Sequence, residues 1–197
     1  MAEIIPSTLK DGEKFMRSIT IRTYQEEDVS SFYNAVEQSK DELSQWLPWC
    51  HNDYSMKDSE EWINSIVPSI WKSEKGCEFI MVLSDDQTVV GGCCLENLDL
   101  KNRNACIGYW VRTSMTNQGI ATTACHFLLN YGFNKLDLKD IYIIPSIDNK
   151  ASMQVPRKLP YSSMKVVHKG FKIGESISDA AVFTFTKEDY SSYQQGS

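Results

Sequence analysis

Apolar and polar residues alternate along Ser18-Ile19-Thr20-Ile21-Arg22, the period of a half-buried strand. Glu26, Glu27 and Asp28 come next, and acids there favour a helix start. Val29, Phe32, Tyr33 and Val36 then share one helical face. The apolar cluster DELSQWLPWC at 41–50 is broken by Pro48. Over 59–71, Trp62, Ile63, Ile66 and Ile70 again fall on one helical face, and Pro68 is expected to bend or interrupt that helix. Two strands at 78–83 and 88–95 flank the hairpin-like Ser84-Asp85-Asp86-Gln87. A third strand covers about 104–112. The helix at 119–134 follows, with Ile120, Ala124, Phe127, Leu128 and Tyr131 at helical spacing. A short strand at 140–145 precedes a short helix at 149–159 that starts late or kinks at Pro156. Strands near 164–172 and 180–186 close the pattern. Residues 1–15 read as loose and 191–197 as a disordered polar tail. This order predicts one α/β (α+β) domain over 16–190 with a mixed sheet.

Composition narrows the classes. The 197 residues are 42% hydrophobic and 23% charged, enough to bury a core without covalent staples. The net charge of −6 argues against a nucleic-acid partner, which needs a basic face. It suits a cationic substrate, and equally it serves plain solubility. Six cysteines without a C-x-x-C pair read as scattered reduced thiols of a cytoplasmic protein. Three histidines without ligand spacing make a metal site unexpected. No apolar run is long enough to span a bilayer, so no membrane partner is expected.

Residues 107–124, IGYWVRTSMTNQGIATTA, carry the most chemistry. An aromatic strand runs into a polar loop, and the loop turns directly into a long helix. Such a start leaves backbone N–H groups without partners at the positive end of the helix dipole. A diphosphate fits there. Gly119 lets the ligand approach the backbone, and Ala121 keeps the next position small.

Four segments in this order resemble the GNAT superfamily of acetyl-CoA-dependent N-acetyltransferases. They are DELSQWLPW at 41–49, GGCCLENLD at 91–99, the 107–124 stretch, and NKASMQVPRKL at 149–159. Within the superfamily the chain looks like the RimJ/RimL type, which acetylates ribosomal-protein N-termini. The resemblance implies a mostly antiparallel sheet splayed between its fourth and fifth strands, flanked by helices. It implies acetyl-CoA as co-substrate and a primary amine as acceptor, chiefly a protein α-amino group. Small amines (a polyamine, an antibiotic) remain open as acceptors, as does a non-catalytic acyl-CoA-binding role. Monomer and homodimer are both compatible.

Carried over by position, the resemblance puts Gln118, Gly119, Ile120, Ala121 and Thr122 on the pyrophosphate. Main chain of Trp110, Val111 and Arg112 would pair with the pantetheine arm, as an added strand does. Asn149 would bond to that arm, and Ser152 would lie near the sulfur. Departures from the family pattern matter. Thr116 stands where a long polar side chain is usual, Cys106 where a carboxylate is usual, and Pro156 where a tyrosine acid is usual. Glu96 is then the remaining base candidate and Ser152 the acid candidate. Glu96 also reads as a solvated strand end, and Ser152 as a helix cap. Trp46 and Trp49 would wall the acceptor pocket or pack on the core.

Overall fold

A computed structural model of the chain describes residues 3–5 and 18–196. Chain order begins with β1 (Glu3–Ile5) and β2 (Ile19–Arg22), then α1 (Val29–Glu37), α2 (Lys40–Leu43), α3 (Met56–Glu61) and α4 (Val67–Ser73). The central strands β3 (Cys77–Leu83), β4 (Val89–Asp99) and β5 (Asn104–Val111) lead into the helix α5 (Ile120–Asn134). After it come β6 (Asp140–Ile143), α6 (Lys150–Gln154), β7 (Ser163–Ile173), β8 (Ser176–Thr186) and α7 (Lys187–Gly196). The strands form one sheet in the order β1-β2-β3-β4-β5-β6-β8-β7. Every pairing is antiparallel except β5 with β6.

Strand alternation sorts the core into two layers. Phe79, Met81, Cys93, Leu95 and Ile107 pack against Ala124, Phe127 and Leu128 of α5. Ile80, Val82, Val89 and Trp110 pack on the other face with Phe32, Ala35 and Val36 of α1 and with Ile63. Both faces of β3 are covered, which is why it reads as a continuous apolar run.

The parallel pairing of β5 with β6 lasts only from Asn104↔Asp140 to Cys106↔Tyr142. Beyond it the strands part. β5 continues to Val111 beside β4 alone, while past β6 the chain makes only a bridge from Ser146 to Ala180. This is the expected splay between the fourth and fifth strands, counted from β2.

Three expectations about elements need amendment. The interruption expected at Pro68 falls just before it. A π-helical segment, Trp62–Ile66, joins α3 to α4, and Val67 N–H bonds to Trp62 O. The wide turn absorbs the donor that proline lacks. Residues expected to form a disordered tail instead continue α7 to Gly196. Buried Tyr190 holds that helix against Phe133, with ring centroids 5.3 Å apart, and Tyr193 stacks on His126. Of the segment 1–15 expected to be loose, Glu3–Ile5 pair with β2 and the rest lies outside the described residues. No helix among the described residues is long and apolar enough to cross a membrane.

The β4–β5 contact tolerates no side chain at Gly91. A Cβ there would lie 2.2 Å from the Trp110 carbonyl oxygen and 2.6 Å from Met81 Cε. Gly91→Ala is expected to cost about 1–3 kcal/mol of stability, read from the midpoint and slope of urea unfolding.

Candidate active site

The splay opens a cavity of about 920 Å³. One end is the start of α5. Gly119 adopts φ 78° and Asn117 φ 60°, and these two left-handed residues turn the loop into the helix. The first helical bond is Thr123 N–H to Gly119 O at 2.9 Å. The N–H groups of Ile120, Ala121 and Thr122 therefore have no helical acceptor, no side chain caps them, and no acid occupies the first turn. Thr116, Asn117, Gly119, Ile120, Ala121 and Thr122 all line the cavity. Gln118 does not; its amide points to Met115 Sδ at 3.8 Å.

Ladder parity decides what β5 offers. Arg112 N–H bonds to Val90 O at 2.8 Å. In an antiparallel ladder such pairs recur at every second residue. Arg112, Trp110 and Gly108 therefore turn their main chain to β4, and Tyr109 and Val111 turn theirs into the splay. Of the three residues expected along the pantetheine arm, only Val111 has the required parity; Tyr109, not named from sequence, shares it. Trp110 instead contributes a buried indole wall. The Arg112 guanidinium bonds to the Gln38 Oε1 of the segment after α1, at 3.0 Å from Nε. Thr113 N–H donates to Ser39 Oγ at 3.0 Å and Thr113 Oγ1 to Glu42 at 3.2 Å. These bonds fix the acceptor-side helices to the end of β5.

At the splay, Asn149 Oδ1 accepts from Ser152 N–H at 2.9 Å and so caps α6. Its two amide hydrogens stay available. Asn149, not Ser152, is the cap. Ser152 Oγ instead lies 3.1 Å from Tyr109 Oη. Burial pushes the Tyr109 phenol far above its ordinary pKa, so it holds its proton. A tyrosine hydroxyl from β5 therefore lies beside Ser152. Pro156 itself is buried in the core below.

The other half of the cavity is aromatic. Trp49 stacks on Trp62 at 6.5 Å and meets Trp110 edge-on at 6.0 Å. Trp46, Tyr24, Phe32 and Tyr54 complete the walls. The indole N–H of Trp62 is buried beside Tyr24 and meets no hydrogen-bond geometry with an acceptor among the described residues. Charged lining residues are Glu42, Asp58, Glu61, Glu78 and Glu96 against Lys158 and Lys172.

One of these acids, Glu96, lies over Gly108. A Cβ on Gly108 would lie 2.8 Å from Cys94 Sγ and 3.9 Å from Glu96 Oε1. The glycine leaves room for both groups above β5. Glu96 is open to the cavity, yet the enclosing protein raises its pKa. Glu78 lies opposite Cys94, as Cys94 lies opposite Gly108, so the three form one cross-strand row. Glu78 is only 9% exposed, and burial first, then the Glu96 charge, pushes it up to about 8. It escaped the sequence reading because it sits inside an apolar strand run, EFIMVL, where one acid reads as a strand end. Cys106 is outside the lining, and burial raises the thiols of Cys94 and Cys106, so neither is a ready thiolate nucleophile.

With the geometry described, comparison with known proteins places the chain. Residues 18–161, more than half its length, match the family model described as an acetyltransferase (GNAT) domain. The chain belongs to the GNAT acetyltransferase family. It is an acyltransferase. It is 27% identical over 181 residues to a Bacillus subtilis (strain 168) protein named "Putative ribosomal N-acetyltransferase YdaF", covering 90% of this chain and 96% of that one. Among solved structures, RimL, a ribosomal L7/L12 alpha-N-protein acetyltransferase in complex with coenzyme A, superposes with a TM-score of 0.78 at 19% identity. That match covers 93% of this chain and 98% of RimL. The microcin C7 self-immunity acetyltransferase MccE, in complex with acetyl-CoA and AMP, also gives 0.78, at 21% identity over 85% and 92% of the two chains. At those identities the acetyltransferase shares their fold.

Glu78 makes the stability of this acetyltransferase depend on pH. Its folded pKa of about 8 lies above the ordinary 4.5, so the folded state holds a proton that the unfolded state has lost. Stability falls as pH rises between those values. Glu78→Gln is expected to match the wild type near pH 4.5 and to exceed it at pH 8, as measured by unfolding of the unliganded protein at both pH values.

Proposed function

We propose that this acetyltransferase moves an acetyl group from acetyl-CoA to a primary amine. The acceptor we favour is a protein N-terminal α-amino group. The observation carrying the reading is one continuous cavity that joins the uncapped start of α5 to the Glu96 carboxylate above Gly108. The free N–H groups at 120–122 suit a pyrophosphate, and MccE and RimL hold acetyl-CoA and coenzyme A respectively in the same fold. The relatives named for ribosomal proteins support a protein acceptor. The aromatic enclosure around Trp49 and Trp62 supports a second reading, a small amine.

The chemistry follows from the residue placement. The main chain of Tyr109 and Val111 lines the pantetheine arm as an added strand would. The acceptor enters from the tryptophan side. An ammonium has no lone pair, so it must first lose a proton, and Glu96 is the carboxylate at Gly108 that accepts it. The neutral amine attacks the thioester carbonyl, the C–N bond forms and the C–S bond breaks. Ser152, hydrogen-bonded to Tyr109, protonates the departing sulfur. Holding amine and thioester together supplies much of the rate, because the thiolate is an adequate leaving group.

Purified protein, acetyl-CoA and a panel of peptides and amines test the reading by thiol release. Tight CoA binding with no turnover on any acceptor would favour a non-catalytic binding protein. Glu96→Gln is expected to lower kcat by about 10²–10⁴-fold at neutral pH; a near-normal rate removes Glu96 as base. Gly119→Val strains a backbone held at φ 78° and closes the approach to the loop. CoA affinity measured by calorimetry is expected to fall at least about tenfold, with Glu96→Gln as the variant whose CoA affinity does not change.

A further inference from the structure

Glu78 takes no part in the chemistry above, yet it lines the cavity and is nine-tenths buried. No N–H or O–H among the described residues donates a hydrogen bond to its carboxylate; the Cys94 thiol is its polar neighbour. An ionised carboxylate in that setting is costly without a countercharge. The titratable groups coupled to it are Tyr24 from the segment after β2, Cys77 on its own strand, and Cys93, Cys94 and Glu96 on β4. All are neutral or acidic, and no lysine, arginine or histidine among the described residues acts on it. The described residues therefore provide no countercharge. Glu78 lines the same cavity as Tyr24 and Trp62, and aromatic rings attract a cation.

We propose that Glu78 receives the acceptor's ammonium group and, with Glu96, forms the carboxylate pair that takes up its proton before attack. The proposal rests on the acetyl-transfer reading of the site. The nitrogen loses two protons overall. One passes to the carboxylate pair and on to solvent; the other replaces the proton that Ser152 gives to the sulfur. Two neighbouring carboxylates do not both ionise readily, so the empty pair keeps a proton on Glu78 at neutral pH. An arriving ammonium offsets the repulsion and lets that proton go. Amine binding is thereby linked to proton release.

The test is a calorimetric titration of the CoA-loaded protein with n-butylamine at pH 7. It is run in two buffers of different ionisation heat, for wild type, Glu78→Gln and Glu78→Asp. Wild type is expected to release up to about one proton per amine bound. Glu78→Gln should bind at least about tenfold more weakly and release none. Glu78→Asp should recover the proton release, which a purely structural role for Glu78 would not do. In thiol-release assays, Glu78→Gln should raise KM for the amine and lose the rise in kcat/KM near pH 8. Equal affinity and equal proton release in wild type and Glu78→Gln overturn the proposal, as does an absence of amine binding to wild type. Turnover by wild type with an unchanged Glu78→Gln variant sinks this proposal alone. Proton-linked amine binding that needs Glu78, without turnover on any acceptor, sinks the acetyl-transfer reading and leaves the ammonium site standing.

Discussion

A buried strand edge ordinarily has each N–H and C=O matched by a neighbour. β5 meets this condition along β4 and, on its other side, only as far as Cys106. Past that residue its main chain faces a cavity instead of a strand. Loop 116–119 and the start of α5 extend the same debt, because Gly119 begins a helix whose first N–H groups have no cap. A long ligand with an amide-bearing arm and an anionic end answers both deficits. The fold spends stability on this opening and recovers it elsewhere, in two apolar layers packed on either face of β3 and β4.

The second constraint is electrostatic. Five acids line the cavity against two lysines, Lys158 and Lys172, and two nearby arginines are committed to other tasks. Arg112 is tied to Gln38. Arg22 grips Asp28 with two bonds of 2.7 Å, which steadies the turn carrying Tyr24. Glu78 and Glu96 are left with each other and with thiols. Gly108 makes this arrangement possible, because any side chain there would displace Cys94 Sγ and crowd Glu96. A cysteine at position 106 therefore does not empty the site of carboxylates. They approach from β3 and β4 instead.

How legible each part was depends on the range of the interaction that decides it. The strand at 19–22 follows from local alternation, those at 77–83 and 104–111 from apolar runs bounded by polar turns, and the start of α5 from a glycine at a loop end. Ser152 was legible as a site candidate, but its partner was not. Tyr109 lies 43 residues earlier, and only the sheet brings the two hydroxyls to 3.1 Å. Glu78 shows the same limit more sharply. Its neighbours Cys94 and Gly108 are set by strand register, and a shift of one residue would turn it to the α5 layer. Pro68 marked an interruption whose form, a π turn just before it, was not legible. The tail misled because a polar helix can be anchored by one buried tyrosine.

By itself, then, the sequence determined the order of elements, the family, and a loop whose glycine and following helix suit an anion. These depend on residues close together along the chain, where propensity and dipole act directly. The tertiary structure alone decided which main-chain groups of β5 face the cavity, that Arg112 and Gln118 stay out of its lining, and that acids from two different strands, Glu78 and Glu96, line it together. Those outcomes rest on ladder parity and cross-strand distance, which a linear sequence carries only through the packing of the whole sheet.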